Sequence, residues 1–269
     1  MKILAIGDVV GRPGRTCLKT LLPKIRAEHE PDFVIINGEN IAGGFGITLK
    51  IYHELIDKFE IDAITTGNHW ADKREIFPKL DEMDRLVLPA NMGNVDEFRH
   101  GFREIKSKSG IPVTVVNLIG RAFMHSENTC PYAMADQLFG RFADSKPVRV
   151  VDMHAEATSE KQGMGRFLTS RASLVYGTHT HVPTADERIL SGHTGYQTDL
   201  GMTAGYDSVI GMRTELALRR MQTQTKVRME PAKGEPWLCG VLADIDEKNG
   251  RCKEITRLQY RTNEIDDTV

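Results

Sequence analysis

The chain has 269 residues, which allows either one large domain or two small ones around a sizeable core. Its 35 basic and 37 acidic residues are interspersed, and the formal net charge of −2 gives no general electrostatic reason to bind a nucleic-acid duplex or an anionic membrane; a small anionic substrate could still be held locally. Cys17, Cys130, Cys239 and Cys252 are scattered without a C-x-x-C pair, which argues against a disulfide framework or a cysteine zinc site and favours reduced cytoplasmic thiols. The first apolar run is interrupted at Asp8, too early for a signal h-region or a spanning helix.

In chain order, strand-like apolar runs are expected at 2–7, 32–38, 62–67, 86–90, 113–119, 148–153 and 172–177. Between the first two, Leu18, Leu21, Leu22 and Ile25 follow the spacing of one apolar helix stripe, which Pro31 stops. A second helix is expected over 48–59, with Thr48 as N-cap and Ile51, Leu55 and Phe59 on its buried face. Near-continuous apolar strands separated by helices predict an α/β fold with a largely parallel, doubly covered sheet. After Thr223 the texture changes: 226–230, 237–246 and 252–261 read as strands joined by turns at Gly234 and Asn249-Gly250. No Pro/Gly/Ser-rich linker precedes this antiparallel ending, so residues 1–269 are expected to form a single domain.

Seven metal-competent side chains follow these runs: Asp8, Glu39, Asn40, Asn68, His154, His179 and His181. An open α/β sheet binds ligands outside the carboxyl ends of its strands, so these groups are expected to converge on one site. Singly, each has an ordinary reading: Asp8 as a helix cap, the asparagines as turn formers, and a lone strand-end His as a hydrogen-bonded structural residue. A buried Glu39, however, is costly unless paired or metal-bound. His179 and His181, at i and i+2 of an extended segment, would point to the same side. Mixed nitrogen and oxygen ligands suit iron, manganese or zinc better than magnesium or calcium alone, and seven exceed the needs of one catalytic ion.

Two transition-metal ions are therefore expected. Such a pair, roughly 3.5–4 Å apart, suits hydrolysis of a phosphate ester by metal-hydroxide attack, with His69 protonating the leaving alkoxide. Cys17 is expected to be packing, and the spacing of Gly7, Gly11 and Gly14 matches neither a dinucleotide fingerprint nor a P-loop. Asp152, Glu156 and Asp199 read equally as ligand-orienting groups or as turn and helix-end residues. Asn91 could touch substrate or stabilise a turn. Arg121, Phe123 and His125 could form a loop over the pocket, while Gly43, Gly44 and Gly46 fit either close backbone approach to the site or ordinary loop geometry.

The blocks Gly7-Asp8-Val9-Val10-Gly11, Asn37-Gly38-Glu39-Asn40, Gly67-Asn68-His69, Asp152-Met153-His154-Ala155-Glu156, Gly177-Thr178-His179-Thr180-His181-Val182 and Thr198-Asp199-Leu200-Gly201-Met202 together resemble the YmdB-like metallophosphoesterases of the calcineurin-like superfamily. The resemblance implies an α/β/β/α sandwich of two mixed sheets flanked by helices. It also implies a dinuclear, often iron-containing phosphodiesterase acting on cyclic nucleotides, notably 2',3'-cyclic nucleotides. On that basis Asp8, Glu39, Asn40 and His181 would hold one ion and Glu39, Asn68, His154 and His179 the other, with Glu39 bridging and His69 as proton donor. Val10 stands where the broader superfamily has a histidine, and Glu39 where it has a bridging aspartate; both departures match the narrower family. The resemblance makes a homo-oligomer plausible. Two alternatives remain open at this stage: a phosphomonoesterase or nucleotidase using the same metals, and a metal-stabilised regulatory protein with little turnover.

Overall fold

Side chains alternate across a strand, so a strand that is apolar throughout needs a cover on each face. The structure, a computed structural model describing residues 1–93, 96, 99–124, 128–142 and 147–262, shows what those covers are. In chain order the elements are β1 (Lys2–Ile6), β2 (Asp8–Val9), α1 (Gly11–His29), β3 (Phe33–Asn37), α2 (Leu49–Asp57), β4 (Ala63–Thr65), a 3-10 segment Arg74–Glu82, β5 (Leu86–Val87), β6 (Phe102–Lys106) and β7 (Pro112–Ile119). They continue with α3 (Pro131–Phe139), β8 (Arg149–His154), α4 (Thr158–Phe167), β9 (Leu174–Thr178), β10 (Arg188–Leu190), β11 (Thr194–Gln197), β12 (Met202–Gly205), α5 (Thr214–Thr223), β13 (Pro236–Ile245) and β14 (Cys252–Arg261).

Eight strands form one sheet in the order β2-β12-β13-β1-β3-β4-β5, with β14 on β13, and six form a second in the order β10-β11-β9-β8-β7-β6. Both are mixed: β1, β3, β4 and β5 run parallel, as do β7, β8, β9 and β11, whereas β13 is antiparallel to β1, β12 and β14. Leu4 and Ile6 of β1 pack with Leu18, Leu21, Leu22 and Ile25 of α1. Ile3 and Ala5, on the opposite face, meet Val113, Val115, Val150 and Leu174 of the second sheet. Beyond that sheet, Val116, Val151, Met153 and Val175 pack with Leu138 of α3 and Met164 of α4. The result is the α/β/β/α sandwich implied by the family resemblance. It corrects the pattern-based expectation of a single sheet under helices: the inner cover is another sheet, which buries apolar residues just as a helix layer does.

Local signals account for the helix ends. α1 stops at His29, where Glu30 turns left-handed (φ 49°) and its amide returns to the Arg26 carbonyl, just before Pro31. Thr48 Oγ1 caps α2 by accepting from the Ile51 amide at 3.3 Å. The buried face of α2 centres on Tyr52 and Leu55, with Ile51 and Phe59 only flanking it. Residues 226–230, expected as a strand, are irregular, while 237–246 and 252–261 coincide closely with β13 and β14. Among the described residues, no helix is long and apolar enough to cross a membrane.

Candidate metal centre

Parallel β1, β3 and β4 in one sheet and β8 and β9 in the other direct their carboxyl ends to one region. Asp8 lies in β2 just beyond β1, Glu39 and Asn40 follow β3, Asn68 follows β4, His154 ends β8, and His179 and His181 follow β9. Glu39, His154 and His179 offer ligand atoms within 4.8 Å of one another, and so do Asp8, Glu39 and His181. Asn68 Oδ1 lies 3.1 Å from His154 Nε2, and Asn40 Oδ1 lies 3.1 Å from His181 Nε2. All seven sequence-selected residues are thus brought together, and Glu39 belongs to both groups.

Hydrogen bonds behind these atoms set their orientation. Asn40 Nδ2 donates to the Gly44 carbonyl at 3.1 Å, which turns Oδ1 inward. His181 Nδ1 donates to the Ile210 carbonyl at 2.8 Å, leaving the Nε2 lone pair toward Asp8 Oδ1 at 3.7 Å. Buried Asp152 accepts the Thr178 hydroxyl at 2.6 Å, so Thr178 Oγ1 can accept from His154 Nδ1 at 2.9 Å. The Thr65 hydroxyl at 2.5 Å and Asn37 Nδ2 at 3.1 Å satisfy the other Asp152 oxygen. His154 Nε2 then faces three further acceptors: Asn68 Oδ1, Glu39 Oε2 at 3.2 Å and His179 Nδ1 at 3.1 Å. A proton on Nε2 serves only one of them at a time, whereas a cation in the same place would serve all. Buried Asp8 Oδ1, which has no hydrogen-bond partner among the described residues, supports the same reading. Gly67 makes room for the cluster, since a Cβ there would overlap His154 Nε2 and Glu39 Oε2.

The titration of these groups follows from their burial and from one another's charge. Burial pushes Asp8 up to about 7, against the restraint of His181 and His154. Burial would raise Glu39 too, but His154 above all outweighs it and holds the carboxylate down at about 2. Burial would lower His154, yet Glu39 and Asp8 hold it up at about 9; burial and the charge of His154 take His179 down to about 3.

The two histidines after β9 do not share a face through an extended backbone, as i, i+2 spacing suggested. His179 and His181 both have positive φ, 95° and 65°, unusual for non-glycine residues. Several bonds hold this turn: the His179 amide donates to Asp8 Oδ2 at 3.1 Å, and the Thr180 amide and hydroxyl donate to Asp199 Oδ2 at 3.3 and 2.8 Å. Lys161, buried in α4, pairs with the same oxygen at 2.5 Å. Asp152 and Asp199 thus orient side chains and backbone of the cluster, and Glu156 faces His179 Nε2 at 3.2 Å. Lys161 carried no signal, because a helical lysine ordinarily reads as solvent-facing.

Asp8 does not cap α1, whose N-cap is Val10 without a side-chain bond. His69 Nδ1 lies 2.9 Å from Asp72 Oδ2, and its ring meets Phe45 edge-on at 5.0 Å. Asn91 is a structural clamp, bonded to Ile119 and Thr129 backbone atoms. Arg121 and Phe123 do not line the cavity over the centre, and His125 lies outside the described residues. That cavity, of about 440 Å³, has Glu39, Asn40, His69, His179 and His181 at its floor. Its walls are Phe45, Val209, Ile210 and Met212, with Met221 and Gln224 around α5 and Met229 beyond it. Sequence periodicity did not reveal this wall, because much of it is irregular chain.

Comparison with known proteins finds related sequences and folds. A family model described as "YmdB-like protein" matches residues 4–258. A Bacillus subtilis (strain 168) protein named 2',3'-cyclic-nucleotide 2'-phosphodiesterase is 46% identical over 258 residues, covering 96% of each chain. A crystal structure of a hypothetical protein from Thermus thermophilus superposes with a TM-score of 0.87 at 35% identity, over 97% of this chain and 99% of that one. A Mycoplasma pneumoniae structure described as a novel phosphatase gives a TM-score of 0.88 at 29% identity, over 97% and 93%.

Proposed function

Because the chain belongs to the YmdB-like family, we propose that it is a dinuclear metal-dependent phosphodiesterase that hydrolyses cyclic nucleotides, with 2',3'-cyclic nucleotides as preferred substrates. The observation that carries this reading is Glu39, whose carboxylate belongs at once to the Asp8–His181 group and to the His154–His179 group. Asp8, Glu39, Asn40 and His181 would hold one ion and Glu39, Asn68, His154 and His179 the other; mixed N/O ligation suits iron, with manganese or zinc as substitutes. When bound, such ions would supply a nucleophile at neutral pH and neutralise phosphoryl charge.

The chain's own residues do the rest. With Asp72 accepting from His69 Nδ1, a proton carried on Nε2 is aimed into the cavity toward the leaving ribose oxygen. Asp152, through Thr178, fixes the tautomer of His154, and the Ile210 carbonyl fixes that of His181. Val209, Ile210 and Met212 exclude water from one side of the bound phosphodiester. This reading treats the chain as one metallophosphoesterase domain working in the cytoplasm, in keeping with its four free cysteines.

Metal analysis of the purified protein, with relative rates on 2',3'-cAMP, bis(p-nitrophenyl) phosphate and p-nitrophenyl phosphate, tests the proposal. Fastest turnover of the cyclic substrate is expected. Preference for the monoester would establish the second reading, a phosphatase, which the Mycoplasma pneumoniae neighbour's description favours. Bound metal with no turnover on any of the three would point to a regulatory protein.

A further inference from the structure

The cavity over the metal-ligand candidates does not end at its own wall. A second cavity, of about 880 Å³, shares Phe45, Arg220, Gln224 and Met229 with it, so the two form one groove. Lys73, Arg220, Lys226 and Arg228 line this extension, and its one acidic lining residue, Glu230, is already engaged by Arg213 at 2.9 Å. Among the described residues, no ion pair or side-chain hydrogen bond engages any of those four cations, and three of them are solvent-exposed. In a chain of net charge −2 this is a local excess of positive charge. It leads directly out of the pocket where a phosphodiester would react.

A 2',3'-cyclic phosphate arises when a ribose 2'-hydroxyl attacks the adjacent 3'-phosphate and expels the next nucleotide. RNA cleavage by this internal transesterification leaves the cyclic phosphate at the 3' end of a strand, with further phosphates on its 5' side. Resting on the functional reading above, we propose that the substrate class of this site is the 3' end of short single-stranded RNA bearing a terminal 2',3'-cyclic phosphate. Its 5'-ward phosphates lie along Lys73, Arg220, Lys226 and Arg228, and Phe45, where the two cavities meet, offers a face for a base. The cations surround a recess continuous with the reaction pocket, which suits a strand threading outward better than a flat lipid surface. The enzyme would act after RNA cleavage, opening the cyclic ends that cleavage leaves.

The test compares the metal-loaded enzyme with a K226Q/R228Q variant on 2',3'-cAMP and on a triadenylate ending in 2',3'-cyclic phosphate, at about 50 and about 200 mM salt. The trinucleotide is expected to have a KM at least ~10-fold below that of 2',3'-cAMP at low salt. Two phosphate contacts predict that the fourfold salt increase weakens it about 7-fold. The variant should raise the trinucleotide KM toward that of 2',3'-cAMP and flatten its salt dependence, leaving kcat and KM for 2',3'-cAMP unchanged. Equal KM values for both substrates in the wild-type enzyme would overturn the proposal, as would a variant that impairs both substrates alike. So would variant-sensitive binding to phosphatidylglycerol vesicles without an oligonucleotide preference. If 2',3'-cAMP itself is not hydrolysed, the functional reading fails; fluorescence anisotropy with a labelled 3'-phosphorylated triadenylate then judges the groove separately, and affinity equal in wild type and variant refutes it.

Discussion

The floor and the mouth of the groove are built differently. At the floor, Asp152, Thr178 and His154 are fully buried and joined by hydrogen bonds that leave Nε2 of the histidine one orientation. At the mouth, Arg220, Met221 and Gln224 of α5 and its cap are exposed, and the lining includes both cations and methionines. On the proposed function, the contrast would leave bond-breaking geometry to buried strand ends and substrate affinity to a surface helix and an irregular segment.

The largest expected effect breaks the floor. Glu39→Gln removes the carboxylate common to both ligand groups, so turnover should fall by ~10³-fold or more and bound metal per chain should drop. A variant retaining two metals by elemental analysis and a near-normal rate would refute the shared carboxylate. His69→Gln should lower kcat on 2',3'-cAMP by about 10²–10⁴-fold with metal content unchanged, and far less on a p-nitrophenyl ester, whose leaving group needs no proton. An equal loss on both substrates would remove His69 from the donor role.

Asp152→Asn tests the layer behind the ligands. An amide can keep only one acceptor oxygen and turns a donor toward Thr65 and Asn37 or toward Thr178, so metal affinity should fall about 10–100-fold by competition with a chelator. A smaller effect concerns pH. In the metal-free chain His154 stands at about 9, above its ordinary 6.5, so its stabilisation is complete below 6.5 and lost as pH rises toward 9. Asp8, raised to about 7 from 3.8, builds up its penalty on the folded state between those two values and carries it in full above about 7. Chelator-treated protein should therefore lose Tm between about pH 6.5 and 9 more steeply than metal-loaded protein, by scanning fluorimetry; a Tm that rises instead contradicts the assignment. The smallest effect lies at the mouth: Met221→Ala, at 65% exposure, should change stability by less than about 0.5 kcal/mol and shift KM, not kcat.

Much of this molecule could be read locally. Apolar runs ending in Asp8, Glu39, Asn68, His154 and His179 are short-range signals, because the apolar strand and the polar group at its carboxyl end are adjacent in the chain. The chemistry of the candidate site and the positions of α1, α2, β13 and β14 were legible for that reason. Other features depend on what lies across space. Whether β1 meets a helix or a second sheet on its inner face leaves the same apolar pattern. The left-handed turn at His179 and His181 is held by bonds to Asp8 and Asp199, and Gly67 matters because His154 and Glu39 occupy the space of its missing side chain. Much of the pocket wall at 209–229 is irregular chain, with no periodicity to betray it. The sequence by itself thus determined which groups sit at strand ends and what they can bind; the tertiary structure decided which of them meet, in what orientation, and beside which cations, since those contacts join segments far apart along the chain.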